Sequence, residues 1–424
     1  MLAASVPAWR REAPVTGRVP KAAPGRGRER PRRVRSLQRA REFMASHIRC
    51  DPVRFPPVLK RISLLAAAFT LVATSLASAS GGEDDFSWQL TPTGSTASLR
   101  GLSAVSENVA WASGSLGTVL RTTDQGATWQ SVGPPGTDAL QFRDIEAFDR
   151  RNAVILSIGD TPDAFRVYVT SDGGQTWQLG FQNQEPTAFY DCMTFFDRRH
   201  GIALSDPIGG EFRIIATRDG GRSWQIVDAD MPPALTGEFA FAASGQCLVS
   251  SGDILESDDD DADDDRGDRS DRLAWFGTGG SAVSRVFRSR DGGNSWRVTA
   301  TPIRSGPTVG INALAFRDED NGLAVGGDFN VPTVAPDAAA LSRDGGRSWR
   351  LIEDAPNEYR SGATWVDRRT AIAVGLSGSD VSFDRGRSWS RFDSGSFHTV
   401  DCADEDACWA SGAQGRVAYL VKDD

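Results

Sequence analysis

Thr122-Thr123-Asp124-Gln125-Gly126-Ala127-Thr128-Trp129 is the first of six copies of one eight-residue pattern. The others begin at Thr170, Thr217, Ser289, Ser342 and Ser382. Each reads Ser/Thr, any residue, Asp, any residue, Gly, any residue, Ser/Thr, Trp. This is the chemistry of a tight hairpin turn. The aspartates, Asp124, Asp172, Asp219, Asp291, Asp344 and Asp384, can turn a carboxylate onto the backbone N–H groups that follow. The glycine two residues on supplies a positive φ that Cβ-bearing residues resist. The Trp opens the return strand and has a large surface to bury. Six of the 12 Trp of the chain lie in these boxes, which marks them as packing residues. A folding element is therefore expected, in preference to a metal or sugar site at each Asp.

A repeat of this period defines the architecture. Ahead of the first box, residues 102–105, 109–113 and 118–121 read as short strands, and residues 129–132 read as a fourth. Four short strands in meander order make one blade of a β-propeller. The box aspartates are spaced by 48, 47, 72, 53 and 40 residues. The long interval holds an insertion, residues 254–272, dominated by Asp and Arg, which reads as a disordered, solvated loop. It lacks the ordered spacing of a calcium loop. A seventh unit has no box: Trp409-Ala410-Ser411-Gly412 repeats Trp111-Ala112-Ser113-Gly114, and the chain then stops one strand short. Phe86-Ser87-Trp88-Gln89-Leu90 has the look of the missing strand. The expected fold is all-β: a seven-bladed β-propeller of four-stranded antiparallel blades, closed by the N-terminal strand in the last blade. Closure removes an exposed sheet edge.

Over residues 85–421 the boxes resemble the Asp-box, or BNR, repeat family. That family includes sialidases, other glycosidases, sorting receptors and photosystem II stability/assembly factor-like proteins. Blades of the type Leu99-Arg100-Gly101-Leu102-Ser103-Ala104-Val105, followed by Val109-Ala110-Trp111-Ala112-Ser113-Gly114, look most like the last group. The resemblance implies a protein-binding propeller with an arginine-rich surface, which in phototrophs helps assemble a membrane complex.

The net charge of −9 hides two unlike parts. Residues 1–79 hold 16 Lys/Arg against 4 Asp/Glu, and the remainder holds 31 against 52. So acidic a body argues against nucleic-acid binding. Residues 1–57 are rich in Arg, Pro and Gly without apolar periodicity, and are expected to be a disordered basic extension. Met44 is an alternative start, which would leave much of that extension out of the product. Residues 58–79 read as a signal peptide: Lys60-Arg61, an apolar run, then Ala77-Ser78-Ala79. Cleavage near Ala79 would give an exported, periplasmic or secreted domain, residues 80–424, with no membrane span, here expected to be monomeric. In an oxidising compartment the four remaining cysteines invite two bridges, Cys402–Cys408 and Cys192–Cys247, with buried free thiols as the alternative.

The inner strands of a propeller line its channel. Aligning their starts places Arg100, Arg143, Tyr190, Glu238, Ile311, Arg360 and His398 at one mouth, with Asp144, Asp191 and Asn312 beside them. A ring of guanidinium groups suits a carboxylate or phosphate. The partner expected there is a protein, or an anionic small molecule or glycan. Sialidases use three Arg, a Tyr nucleophile and acidic residues, which Tyr190 and Glu238 could imitate as catalytic groups. The Phe/Tyr-Arg-Ile-Pro signature of those enzymes is absent, however, since Phe212-Arg213-Ile214-Ile215 lacks the Pro. A propeller-type oxidoreductase is the third reading. No Gly-x-Gly-x-x-Gly opens a helix after a strand. His200 and His398 alone make a poor metal site. No cofactor and no metal are expected, and a non-catalytic binding or assembly module is the preferred function.

Overall fold

The computed structural model describes residues 85–159, 161–253 and 272–423. The basic extension, the signal segment and residues 254–271 of the acidic insertion lie outside the described residues. Seven four-stranded antiparallel sheets follow one another along the compact unit Gly82–Asp424. In blade 1 the strands are Leu99–Ala104, Ala110–Gly114, Val119–Thr122 and Gln130–Ser131, hydrogen-bonded in that order. Blades 2 to 6 repeat this order from inner strands Gln141–Ala147, Tyr190–Phe195, Leu248–Ser250, Val309–Phe316 and Gly362–Trp365. Blade 7 takes Thr399–Cys402, Cys408–Ser411 and Val417–Asp423 from the C-terminus, and its outer strand is Asp85–Leu90. Trp88 pairs with Leu420 and Leu90 with Ala418, so the first strand closes the ring as expected.

Each box is built on the same five hydrogen bonds, of which blade 2 is typical. The Thr170 hydroxyl donates to Asp172 Oδ1 (2.9 Å) and accepts from the N–H of Gly174 (2.9 Å). Asp172 in turn accepts from the N–H of Thr176 (2.9 Å) and from its hydroxyl (2.6 Å). The residue after the Asp is left-handed in every box. Glycine fills it in four, Gly173, Gly220, Gly292 and Gly345, while Gln125 (φ 55°) and Arg385 (φ 68°) carry side chains there. The next N–H, at that left-handed residue, reaches back to the turn between strands one and two: Gly173 to Arg151, Gly220 to Arg199 and Arg385 to Arg369, at 2.8–3.0 Å. Box and inner turn therefore share one end of the ring, the box end. The links into the inner strands lie at the other.

The apolar core is divided into seven clusters, one per blade interface. Box Trp residues fill them: Trp224 meets Phe195 edge-on at 5.9 Å and Trp296 meets Phe276 at 4.9 Å. At the closing interface Trp129 stands at 90° to Trp409. A buried side chain of this class stabilises by about 1.5–3 kcal/mol relative to exposure. Blades are thus held mainly by each other. Two disulfides are formed. Cys192–Cys247 joins blades 3 and 4, and Cys402–Cys408 pairs directly opposed residues of one hairpin.

Candidate functional site: the channel mouth and the box end

The pairing registers fix which side chains face the axis. Four inner strands carry an extra residue at one position: Arg100 between Leu99 and Gly101, Arg143 between Phe142 and Asp144, Asp191 between Tyr190 and Cys192, and Asn312 between Ile311 and Ala313. Such a bulge aims its side chain away from the regular alternation. Matching the pairs Leu248↔Phe276, Gly362↔Val374 and Thr399↔Ser411 places Gln246, Ser361 and His398 at the same position.

Four residues expected at the mouth lie elsewhere. Tyr190 is one residue before the bulge, and its ring is buried between blades 2 and 3, against Phe165 and Phe181. Burial pushes its hydroxyl up to about 12. Arg360 precedes Ser361 and is 1% exposed. It donates from Nε to Asp380 (2.6 Å) and ion-pairs with the same carboxylate through Nη2. Glu238 is buried and taken up by Arg285, Thr278 (2.7 Å) and the N–H of Leu235 (2.8 Å). Ile311 is buried among apolar side chains of blades 4 and 5. The cause is a one-residue slip, which sends a strand side chain to the opposite face. In blade 4 the whole residue 238–245 stretch precedes the inner strand.

That stretch crosses the channel. Arg100 Nη1 donates to the carbonyl of Ala243 (3.2 Å), and Arg143 Nη1 to that of Ala242 (3.0 Å). Ser244 donates to the carbonyl of Ser361 (2.6 Å). The Gln246 amide donates to the carbonyls of Ala363 (3.0 Å) and Val400 (2.8 Å) and accepts from the N–H of Ala363 (3.0 Å). Asp144 Oδ2 accepts from the N–H of Met193 (2.7 Å) and lies against Gly245. The centre of the ring is thus filled largely by polar groups bonded to one another, as burial favours. Arg100 and Arg143 stand half-buried at the edge of this plug. Burial, and then the Arg100 charge, pull Arg143 down to about 9. His398 is buried beside both; desolvation, then Arg100 and Arg143, hold its imidazole well below the usual histidine value.

The box end has a different character. The turn and box of blade 3 present Arg198, Arg199, Arg218 and Arg222, and those of blade 6 present Arg368, Arg369, Arg385 and Arg387, all exposed. Blades 2, 4 and 5 add Arg150, Arg151, Arg290, Arg343 and Arg347. The box carboxylates are occupied within their own turns, as in Asp219 and Asp384. Asp197 and Asp367 are similarly bound to their own turn N–H groups. Among the described residues, Arg198 alone of these exposed arginines makes an ion pair, with Asp149. Blades 7 and 1 carry instead Asp404, Glu405, Asp406 and Glu107 in the corresponding turns. Part of the sequence signal for this face lay in the boxes themselves, whose variable positions hold Arg218, Arg222, Arg290, Arg343, Arg347, Arg385 and Arg387.

The BNR/Asp-box repeat family matches residues 168–179. No curated protein sequence matches the chain. Among solved structures, "YCF48 bound to D1 peptide" is similar at a TM-score of 0.54 and 14% identity, over 79% of this chain and 95% of that one. YCF48 from Cyanidioschyzon merolae gives 0.54 at 17% identity, over 79% and 98%. The WD40 β-propeller domain of Doa1 gives 0.50 at 11% identity, over 80% and 98%. The chain carries the BNR/Asp-box repeat on a propeller fold that it shares with the YCF48 structures.

Proposed function

We propose that this chain is a non-catalytic protein-binding module, of the assembly-factor kind, whose partner docks an acidic segment on the box end. One observation carries the reading: an arc of exposed arginines over blades 2 to 6 whose box carboxylates are already engaged within their own turns. Guanidinium groups held on turns keep their planar forks available to carboxylates. The acidic turns of blades 7 and 1 would give such a partner one orientation on the ring. A YCF48 structure holds a D1 peptide, which supports peptide binding as a use of this fold. The sialidase-like alternative lacks a built site, because Tyr190 and Glu238 sit in separate, fully engaged surroundings. Export to the periplasm or medium, as a monomer, completes the proposal.

The test is capture of partners from the exported fraction by the full chain, compared with a variant bearing Arg218→Glu, Arg222→Glu, Arg385→Glu and Arg387→Glu. A partner retained by the parent, released by salt and lost by the variant is expected. Retention undiminished in the variant overturns the docking face. Turnover of a fluorogenic glycoside that Glu238→Gln abolishes would overturn the non-catalytic reading.

A further inference from the structure

Arg100 and Arg143 form a pair of like charges, with Asp191 of the adjacent blade as the acidic group acting on Arg143. Among the described residues neither makes an ion pair. Their bonds are three: to the carbonyls of Ala243 and Ala242 and, from Arg143 Nη2, to Gln141 Oε1 (3.2 Å). Two guanidinium groups carry ten N–H donors between them. Arg143 Nε is buried without an acceptor, and so is Nδ1 of the neighbouring His398. His398, 4% exposed, spends its other nitrogen on the Ser98 hydroxyl (3.1 Å). Bringing two cations together in a partly desolvated place is unfavourable by Coulomb's law, increasingly so as the dielectric falls. A bound anion reverses the sign of that interaction.

We propose that this corner of the channel mouth is a binding site for a small monocarboxylate. The planar fork of each guanidinium matches a carboxylate edge. Asp191 acts on Arg143 from the adjacent blade, so the cluster favours one negative charge over two. The Tyr359 hydroxyl donates to Asn312 Oδ1 (3.0 Å), and its charge-free oxygen lies near both arginines. Exposed Leu116, Leu235, Val283, Val331 and Val334 all lie in loops at this end of the ring, opposite the boxes. This site is independent of the docking face, which lies at the other end of the blades.

The same chemistry is offered by a free carboxylic acid or by the carboxyl end of a peptide. The full chain is titrated with hexanoate, hexanamide, inorganic phosphate, and an N-acetylated tripeptide as free acid or as amide. The imidazole signals of His398 are followed by NMR, assigned in a chain carrying His47→Asn and His200→Asn. Saturable shifts with hexanoate, absent with hexanamide and at least tenfold weaker in Arg143→Gln, are expected. Shifts by the tripeptide acid and not its amide would support the same site with a peptide end as the source. No saturable shift in the parent chain, equal response to phosphate and hexanoate, or undiminished affinity in Arg143→Gln overturns the proposal. The parent titration needs no variant at the arginines, so a folding defect in Arg143→Gln leaves it decisive.

Discussion

The side-chain amide of Gln246, in the segment leading into blade 4, donates to the carbonyl of Val400 in blade 7, 2.8 Å away. The same amide exchanges two bonds with Ala363 of blade 6. One side chain thereby ties together blades that are remote around the ring. Replacing Gln246 with Ala strands two carbonyls and an N–H at the centre. A loss of about 1–3 kcal/mol is expected for each group left unsatisfied, read from urea unfolding.

Gly245 gives an independent measure of the plug. Its φ is +83°, and a Cβ there would lie 2.4 Å from Asp144 Oδ1. Gly245→Ala combines left-handed strain with that overlap. It is expected to cost at least about 1–2 kcal/mol from the backbone alone. If its unfolding midpoint matches the parent, the segment does not hold this conformation in solution.

The Arg360–Asp380 pair is buried and hydrogen-bonded, with Arg360 Nε 2.6 Å from the carboxylate. Asp380→Ala leaves the buried guanidinium with only the longer ion pair to Glu358 (3.7 Å), at an expected cost approaching about 3–5 kcal/mol. Removing both partners in favour of apolar side chains is expected to cost much less, because no unpaired charge remains. The comparison of single and double variants by chemical denaturation checks this.

Two boxes carry a side chain where the other four have glycine. Gln125→Gly and Arg385→Gly remove a left-handed strain of roughly 1–2 kcal/mol, offset in part by about 0.5–1 kcal/mol of added unfolded-state entropy. A small rise in Tm for each is the expected result. A fall would mean that the side chain contacts outweigh the strain.

Stability is expected to fall on acidification in two windows. Hydrogen bonds from the hydroxyl and then the N–H of Thr176 hold Asp172 at about 2, below the ordinary aspartate value of 3.8. In Asp219, Asp291, Asp344 and Asp384 burial works upward, yet the box serine bonds still leave each lowered. Below 3.8 the unfolded chain takes up protons that the boxes refuse, so this contribution disappears as pH drops towards 2. His398, lowered from 6.5 by burial and then by the two arginines, behaves likewise at higher pH. Stability declines as pH falls through about 6.5, since the unfolded imidazole binds the proton first. Thermal unfolding across pH, repeated with His398→Gln, separates the windows: the upper one alone is expected to vanish.

The boxes, their period and the orphan strand Phe86–Leu90 were enough to determine seven blades and the way they close. Those features act through local turn chemistry and short-range strand pairing, which a sequence displays directly. Arg100, Arg143 and His398 were legible as residues facing the axis for the same reason. Tyr190 and Ile311 were misplaced because a bulge adds one residue at the very position that faces the channel, and alternation then points one residue too early; Arg360 was misplaced by the same single residue, since Ser361 directly precedes the pair Gly362↔Val374. Glu238 gave way to Gln246 because blade 4 enters through a segment whose path depends on contacts with blades 1, 2, 6 and 7. The cationic box end needed the fold as well. Its arginines are scattered in ones and twos through residues 150–387, and only the ring of blades brings them to one face, while the box carboxylates beside them turn inward to their own backbone.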